Sequence, residues 1–293
     1  MNYRHAFHAG NFADVLKHVV LGAVIDRLLA KPAPICVLDV HAGRGCYDLT
    51  SAEARRSPEF EQGIGRLWTA HDLPPLTAAY VERVRAFNRA RGHDTLRDYP
   101  GSPSLAHLQV RISDRVVACE LHPEDARALK NTCRGMDNVA VHERDAWEAL
   151  TALLPPREKR GVVLVDPPYE PPGVEFRRVA EALALARQRF VTGVVLAWYP
   201  VKHYAAHERA GHLRLHHAVR QLGDEGAFAV ELCVRAEDAG PGLAGSGLVV
   251  LNPPWRLAES LAAELPPLLA LLAPEGRGRS TLVRLDGPRR ARG

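Results

Sequence analysis

The residues Gly161-Val-Val-Leu-Val-Asp166-Pro-Pro-Tyr169 decide the fold class of this chain. The apolar run has no polar alternation, which is typical of a strand buried on both faces of a parallel sheet. An acid and two prolines follow, and they predict a rigid loop because proline fixes φ and lacks a backbone N–H. The stretch therefore predicts an α/β protein in which a central strand ends in a loop that bears chemistry.

Strands of the same kind occur on both sides of this stretch, and helical patterns separate them. An apolar run at 35–40 ends in Asp39 and a glycine-bearing turn. Further strands are predicted at 116–120, 139–142, 192–200, 225–235 and 245–252, with a last short strand at 280–285. The alternation predicts a Rossmann-like, mostly parallel seven-stranded sheet with helices on both faces. The strands at 225–235 and 245–252 are expected to pair antiparallel, because the linker between them is too short for a crossover helix.

The segment 47–99 is too long for a simple connection between a strand and a helix, which normally takes a handful of residues. Helical patterns at 60–68 and 76–88 predict a helical insertion subdomain after the first strand. The main domain then comprises residues 1–46 and 100–286, and residues 287–293 form a basic tail. An insertion near the carboxyl ends of parallel strands would lie over the ligand crevice.

The composition is that of an ordinary soluble globular protein. The 293 residues are 46% hydrophobic and 25% charged, and the formal net charge of +4 permits an anionic partner without demanding one. The five cysteines include no CxxC pair and no Cys/His cluster at zinc spacing, so we expect neither a metal nor a disulfide framework. No signal peptide or membrane-spanning run is found, which favours a cytoplasmic protein without a membrane partner.

The loop Asp166-Pro167-Pro168-Tyr169 fits the chemistry of an exocyclic aromatic amine. Such an amine is a poor nucleophile because its lone pair is delocalised into the ring. The Asp166 carboxylate and the Pro167 carbonyl can each accept one N–H and so orient the lone pair, and Tyr169 can stack on the base. A proline-rich strand exit with a capping acid is the alternative interpretation.

Three strand ends carry residues that suit a nucleoside cofactor. Asp39, Gly43 and Gly45 form a glycine loop after the first strand, where the backbone can approach a ligand closely. The spacing does not match the dinucleotide motif GxGxxG. Glu120 ends the second strand, where an acid can hold two ribose hydroxyls, and Asp145 follows the third, where it can meet an adenine amine. Each acid alone is more often a helix cap.

The order of these motifs resembles that of the S-adenosylmethionine-dependent amino-methyltransferases, and more closely the bacterial 23S rRNA adenine-N6 methyltransferases (the large-subunit rRNA methyltransferase J family). The stretches that carry the resemblance are YRHAFHAGNFADVLKH (3–18), LDVHAGRGCYDL (38–49), YPGSP (99–103), ELHP (120–123), VDPPYE (165–170), LAWYPV (196–201) and SGLVVLNPPW (246–255). Phe12 and Arg44 depart from the pattern expected at their positions. The resemblance runs from residue 2 to about residue 285.

By this resemblance the cofactor is S-adenosylmethionine and the substrate is one adenine of 23S rRNA. The residues implied to line the cofactor, beside Asp39 and Gly43 of the glycine loop, are Lys17, His18, His41, Ser102, Glu120, Asp145 and Ala146. Asp166 is implied as the catalytic acceptor, and Tyr3 and His5 as residues that hold the target base. Separately, basic residues of the insertion are expected to contact RNA, among them Arg83, Arg85, Arg89 and Arg91, and a solvated helix face is the alternative interpretation of these residues.

Two other functions stay open at this level. A DNA adenine or cytosine amino-methyltransferase is one, since the DPPY loop distinguishes neither sugar nor base, although no separate target-recognition domain is found. A non-catalytic RNA-binding protein on the same fold is the other, although the motifs are intact. A second loop of similar form, Asn252-Pro253-Pro254-Trp255, comes late in the strand order and is interpreted as structural or as part of the rim of the site. No coiled coil or symmetric apolar stripe is found, so a monomer is expected.

Overall fold

The computed structural model describes residues 4–170, 172–202, 206–236 and 242–287, so Tyr3 and residues 288–293 of the predicted tail lie outside the described residues. The strands are β1 (Cys36–Asp39), β2 (Cys46–Asp48), β3 (Asp98–Pro100), β4 (Arg115–Glu120), β5 (Val139–Glu143), β6 (Gly161–Val165), β7 (Val194–Val201), β8 (Phe228–Cys233), β9 (Gly245–Leu251) and β10 (Arg279–Arg284). The helices are α1 (Phe12–Leu29), α2 (Ala52–Arg56), α3 (Ile64–Thr69), α4 (Pro75–Ala90), α5 (Ser102–Gln109), α6 (Pro123–Thr132), α7 (Ala146–Leu153), α8 (Pro172–Arg189), α9 (Ala206–Leu222) and α10 (Leu257–Leu272).

Eight strands of the described chain form one sheet in the order β10-β8-β9-β7-β6-β1-β4-β5. The five neighbouring strands β5, β4, β1, β6 and β7 are parallel to one another. Beyond β7, the strands β9, β8 and β10 each pair antiparallel with the preceding strand of the sheet. The predicted α/β class, the mostly parallel sheet and the antiparallel pairing of β8 with β9 are confirmed. The predicted number of seven strands is wrong, because the short last strand also joins the sheet: β10 pairs with β8 along its whole length. It covers backbone groups that β8 would otherwise leave exposed at the sheet edge.

The parallel strands bring three acids to one edge of the sheet. β1 is hydrogen-bonded to both β4 and β6 in parallel register, so their carboxyl ends meet there. Asp39 ends β1, Glu120 ends β4 and Asp166 follows β6. This edge is the topological position at which open α/β sheets bind their ligands.

The antiparallel β9 ends at the opposite edge of the sheet. Its last residue, Leu251, pairs with Val195 at the start of β7. The Asn252 backbone N–H donates to Oδ1 of the buried Asp224 at 2.9 Å, and its side chain donates to the Gly193 carbonyl at 3.1 Å. The loop that begins at Asn252 therefore has structural bonds and is remote from the acidic edge.

The helix α1 begins at a well-formed cap. The side chain of Asn11 accepts the backbone N–H groups of Ala13 and Asp14 at 2.9 and 3.0 Å, which satisfies two of the free donors of the first turn. The helix is apolar on nearly every side and is buried between the sheet and the insertion. Its first turns carry Asp14, Lys17 and His18, all buried.

The segment 47–99, predicted to be a helical insertion, begins and ends at the hairpin of β2 and β3. Tyr47 pairs with Tyr99 across this hairpin. The helix α4 packs on α1 and α10, and α3 packs on α10. Their apolar residues, such as Ile64 and Val84, belong to the same core cluster as Val20 of α1. The core on this face of the sheet is therefore continuous from the main domain into the insertion.

Candidate active site

Asp166 lies directly after β6 with its side chain 16% exposed. Its Oδ2 accepts a hydrogen bond from Nζ of Lys17 at 2.6 Å, across 149 positions of sequence. Oδ1 accepts no hydrogen bond from the residues that the structure describes. A cation thus holds one carboxylate oxygen, and the other oxygen is available to a donor in the crevice.

A histidine joins the loops that follow β1 and β6. Nδ1 of His41 accepts the backbone N–H of Asp166 at 3.2 Å, so the ring proton is on Nε2. Burial lowers the pKa of His41 to about 4, which keeps the ring neutral near pH 7. The ring packs edge-on against Trp147, with 5.5 Å between the centroids. His41 therefore orients the Asp166 loop, and its predicted contact with the cofactor stays a prediction.

Lys17 is shared between two carboxylates. Its Nζ donates to Oδ1 of Asp14 at 2.7 Å as well as to Asp166. Burial alone would lower the pKa of Lys17, but the charges of the two carboxylates outweigh burial and raise the pKa well above its usual value. His5 joins the same group, because its Nε2 lies 3.0 Å from Oδ2 of Asp14. The structure thus brings His5, Lys17 and Asp166 together and places Lys17 against Asp166.

The carboxylate that ends β1 is buried. Oδ2 of Asp39 accepts the hydroxyl of Ser102 at 2.5 Å, and Oδ1 accepts the backbone N–H of His41 at 3.1 Å. Burial raises the pKa of Asp39 to about 6, although the Ser102 hydrogen bond acts in the opposite direction. The crevice therefore contains an acid whose ionised form is costly without a nearby cation.

Glu120 faces the glycine loop from the end of β4. Its carboxylate accepts the backbone N–H of Gly43 at 2.9 Å and that of His122 at 2.8 Å. Burial raises the pKa of Glu120. Gly43 has a left-handed φ of 60°, and a Cβ there would overlap the hydroxyl of Tyr47. The loop conformation thus requires glycine at this position.

Asp145 caps α7. Its Oδ1 accepts the backbone N–H of Trp147 at 2.9 Å and that of Glu148 at 3.1 Å. Ala146 is the first residue of the helix and is buried. The structure thus gives Asp145 a capping role at the crevice edge, and a second role toward an adenine amine stays a prediction.

The remainder of the DPPY loop faces inward. Pro167 is buried and Pro168 is half-buried. Tyr169 is 4% exposed with a left-handed φ of 55°, and its hydroxyl donates to the Trp198 carbonyl at 2.8 Å. Its ring contacts Phe176 and Trp198 edge-on. In this conformation Tyr169 supports the loop from beneath, so stacking on a base would require the ring to be uncovered.

His18 points into the seam between α1 and the insertion. Its Nδ1 is hydrogen-bonded to the Tyr99 hydroxyl at 2.7 Å, which in turn contacts the Tyr80 hydroxyl at 2.9 Å. Its Nε2 is buried and has no hydrogen-bond partner in the described part of the chain. Burial lowers the pKa of His18 to about 3. A ligand contact through Nε2 remains a prediction.

The arginines predicted to contact RNA are engaged within the protein. Arg83 binds both oxygens of Asp26, Arg85 donates to the Trp68 carbonyl, Arg89 pairs with Glu82 and Arg91 pairs with Asp98. By contrast, Arg55 and Arg56 of α2 are exposed and form no ion pair with the described residues. The helix α2 packs against the 3₁₀ turn His5–Phe7, which carries His5 of the site.

Asp14 belongs to this group of charges, although the sequence patterns alone did not single it out as a site residue. A signal was present, because Asp14 and Lys17 are three residues apart and therefore share one face of the helix. Pairing with Asp166 could not be inferred in the same way, because it depends on how α1 crosses the sheet.

The remaining features concern metal ions, thiols and membranes. Within the described residues, no group of three or more His, Cys, Asp or Glu side chains could hold a metal ion. The five cysteines, all within the described residues, form no disulfide, and four of them are buried. Over the same ranges of the chain, each helix is too short or too polar to cross a membrane.

Comparison with known proteins adds three findings. A family model described as "Ribosomal RNA large subunit methyltransferase D, RlmJ" matches residues 32–284. Proteins named "Ribosomal RNA large subunit methyltransferase J" from Escherichia coli (strain K12) and Haemophilus influenzae (strain ATCC 51907) are each 39% identical over 282 residues, which is 96% of this chain and 98% of the relative. A crystal structure of a protein from Legionella pneumophila is similar with a TM-score of 0.83 and 32% identity, over 94% of this chain and 98% of that chain.

Proposed function

The chain belongs to the family of ribosomal RNA large subunit methyltransferases, RlmJ, and from that premise we propose that it transfers a methyl group from S-adenosylmethionine to the N6 amine of one adenine in 23S rRNA. Methylation of large-subunit rRNA follows from the family itself. The observation that supports the amine as acceptor is the Asp166 carboxylate, which Lys17 holds by Oδ2 at the carboxyl end of β6 while Oδ1 accepts no hydrogen bond from the described residues.

The residues at the carboxyl edge fit S-adenosylmethionine. Bound there, this cofactor would supply an electrophilic methyl group on a positively charged sulfur. Asp39, with its pKa raised by burial, is an acid suited to a cationic ligand. Gly43 lets the backbone approach closely, and Glu120 beside it has carboxylate oxygens that can accept ribose hydroxyls. Ser102, Asp145, Ala146, Lys17, His18 and His41 are proposed to line the cofactor with them.

Asp166 would act on the substrate amine by orientation and charge. Its Oδ1 and the carbonyl of Pro167 can each accept one N–H of the amine, which turns the nitrogen lone pair toward the methyl group. Methyl transfer leaves a positive charge on N6 until that nitrogen releases a proton. The Asp166 carboxylate stabilises this charge and can pass the proton to water. No metal is needed for these steps.

The target base must leave its stack before it can reach Asp166, which costs a few kcal/mol and less in irregular RNA. Tyr3 and His5 are proposed to hold the unstacked base against Pro168, and Tyr169 would stack on it only once its ring is uncovered. The position of His5, two side chains from Asp166 through Asp14 and Lys17, supports this role. We further propose that the protein acts as a monomer in the cytoplasm.

The function is tested by methyl transfer in vitro and in cells. Purified protein with radiolabelled S-adenosylmethionine should label 23S rRNA, and nucleoside mass spectrometry should identify N6-methyladenosine. Disruption of the gene should remove that nucleoside from one position of 23S rRNA, and expression of the wild-type protein should restore it. Labelling of DNA in preference to rRNA, or rRNA binding without methyl transfer, would contradict the proposal.

A further inference from the structure

We propose that Asp14 is a positioning residue of this active site, which holds Lys17 against Asp166 and His5 in the same network. The inference rests on the proposed function for its chemical meaning. Its structural basis is independent of that function, because it consists of the bonds that the Asp14 carboxylate makes.

The two oxygens of the Asp14 carboxylate accept three hydrogen bonds, each from a different residue. Oδ1 accepts Nζ of Lys17 at 2.7 Å, and Oδ2 accepts the backbone N–H of Gly10 at 2.9 Å and Nε2 of His5 at 3.0 Å. The side chain is 2% exposed. A buried carboxylate is tolerated only when it is paired and hydrogen-bonded, and removal of the Asp14 carboxylate would leave three donors without their acceptor.

A purely structural role at the start of α1 would need fewer hydrogen bonds than the Asp14 carboxylate accepts. An acid at the third position of a helix commonly reaches back to a backbone N–H before the helix, as Asp14 does to Gly10. That bond alone would stabilise the end of α1. The bonds to Lys17 and His5 go beyond it, because Lys17 binds Asp166 directly and His5 is proposed to hold the target base.

The charges of the network explain why two carboxylates are useful. Asp14, Lys17 and Asp166 together carry a net charge of −1 when all three are ionised. If Asp14 were neutral, the ammonium of Lys17 would be paired with Asp166 alone and the net charge would be zero. Asp14 thus lets Lys17 orient Asp166 without cancelling its charge, and that charge stabilises the cation that forms on the substrate nitrogen.

The experiment compares Asp14→Asn with a control at the same helix end. Asn11→Ala removes the cap bonds to Ala13 and Asp14 and the bond to Glu59, and it leaves both carboxylate partners of Lys17 in place. Both variants should lower the urea midpoint. Asp14→Asn should lower kcat on rRNA at least tenfold, with the Kd for S-adenosylhomocysteine within threefold of wild type, whereas Asn11→Ala should keep kcat within threefold.

A second measurement needs no turnover. The side-chain ammonium of Lys17, buried between two carboxylates, should give a slowly exchanging NMR signal in the wild type and in Asn11→Ala and lose it in Asp14→Asn. A persistent signal in Asp14→Asn, a kcat of that variant within threefold of wild type, or an equal loss of kcat in both variants would overturn the proposal. If the wild type methylated no rRNA, the proposed function would fail, while the ammonium signal would still test the network.

Discussion

The hydroxyl of Ser102 donates to the Asp39 carboxylate at 2.5 Å, and this bond joins the chain before the segment 47–99 to the chain after it. Asp39 ends β1 just before the chain enters the insertion, and Ser102 is the first residue of the helix that follows it. The two ends of a long excursion therefore meet at the ligand edge of the sheet. The position of the Asp39 carboxylate, which is proposed to face the cofactor, therefore depends in part on the chain that follows the insertion.

The affinity for S-adenosylmethionine should depend on pH through Asp39. Its pKa is about 6 because the carboxyl is buried, so the ionised form that attracts a cation is lost as the pH falls through 6. Burial raises the pKa of Glu120 as well, which acts in the same direction. Calorimetry between pH 5 and 8 should show weaker binding at the acidic end, by up to about tenfold per pH unit for each proton taken up. Asp39→Asn should bind more weakly at pH 8 and show a flatter profile.

The same substitution should stabilise the fold at neutral pH. The pKa of Asp39 is raised from 3.8 to about 6, so folding favours the protonated carboxyl. The stability that this group contributes is therefore fully present below pH 3.8 and is lost as the pH rises through 6. At pH 8 the ionised carboxylate costs on the order of 2–3 kcal/mol. Urea unfolding should show Asp39→Asn more stable than wild type at pH 8, with the difference shrinking toward pH 4. An equal difference at both pH values would contradict this assignment.

Asp166→Ala should abolish methyl transfer without loss of cofactor binding. The Asp166 carboxylate is assigned to the substrate amine, so we expect kcat to fall at least about 100-fold. The affinity for S-adenosylhomocysteine, measured by calorimetry, should change by no more than a few-fold. Asn252→Gly is the matched control, because Asn252 begins a similar loop at the opposite sheet edge and its left-handed φ of 48° suits glycine. A fully active Asp166→Ala enzyme beside an inactive Asn252→Gly enzyme would reverse the assignment.

RNA binding should depend on α2 more than on α4. Arg55 and Arg56 are exposed beside the turn that carries His5, whereas Arg83 and Arg89 already pair with Asp26 and Glu82. Each phosphate contact to a single strand contributes about 0.7 to the slope of log affinity against log salt. The double variant Arg55→Gln/Arg56→Gln should lower this slope by about 1.4, measured by fluorescence anisotropy with an rRNA fragment. The pair Arg83→Gln/Arg89→Gln serves as the control and should leave the slope unchanged. The opposite pattern would place the RNA on α4.

Several features of this protein were determined by the sequence alone, because they depend on neighbours along the chain. The apolar run 161–165 identifies a buried strand, and the order of acids after successive strands identifies the ligand edge. Parallel strands with crossover helices must end at the same edge, so the order of the strands along the chain is enough to group Asp39, Glu120 and Asp166.

Tertiary structure decided the features that depend on distant parts of the chain. Lys17 and Asp166 meet across 149 positions because α1 packs on the face of β6, and no local pattern encodes that crossing. β10 joins as an eighth strand because the edge of β8 needs a partner, and Tyr169 turns inward because its hydroxyl finds the Trp198 carbonyl. Local propensity selects the elements and their ends, whereas long-range packing of side chains selects which charges share a site. The network of Asp14, Lys17 and Asp166 is of the second kind, since its members are brought together only when the helix and the sheet are assembled.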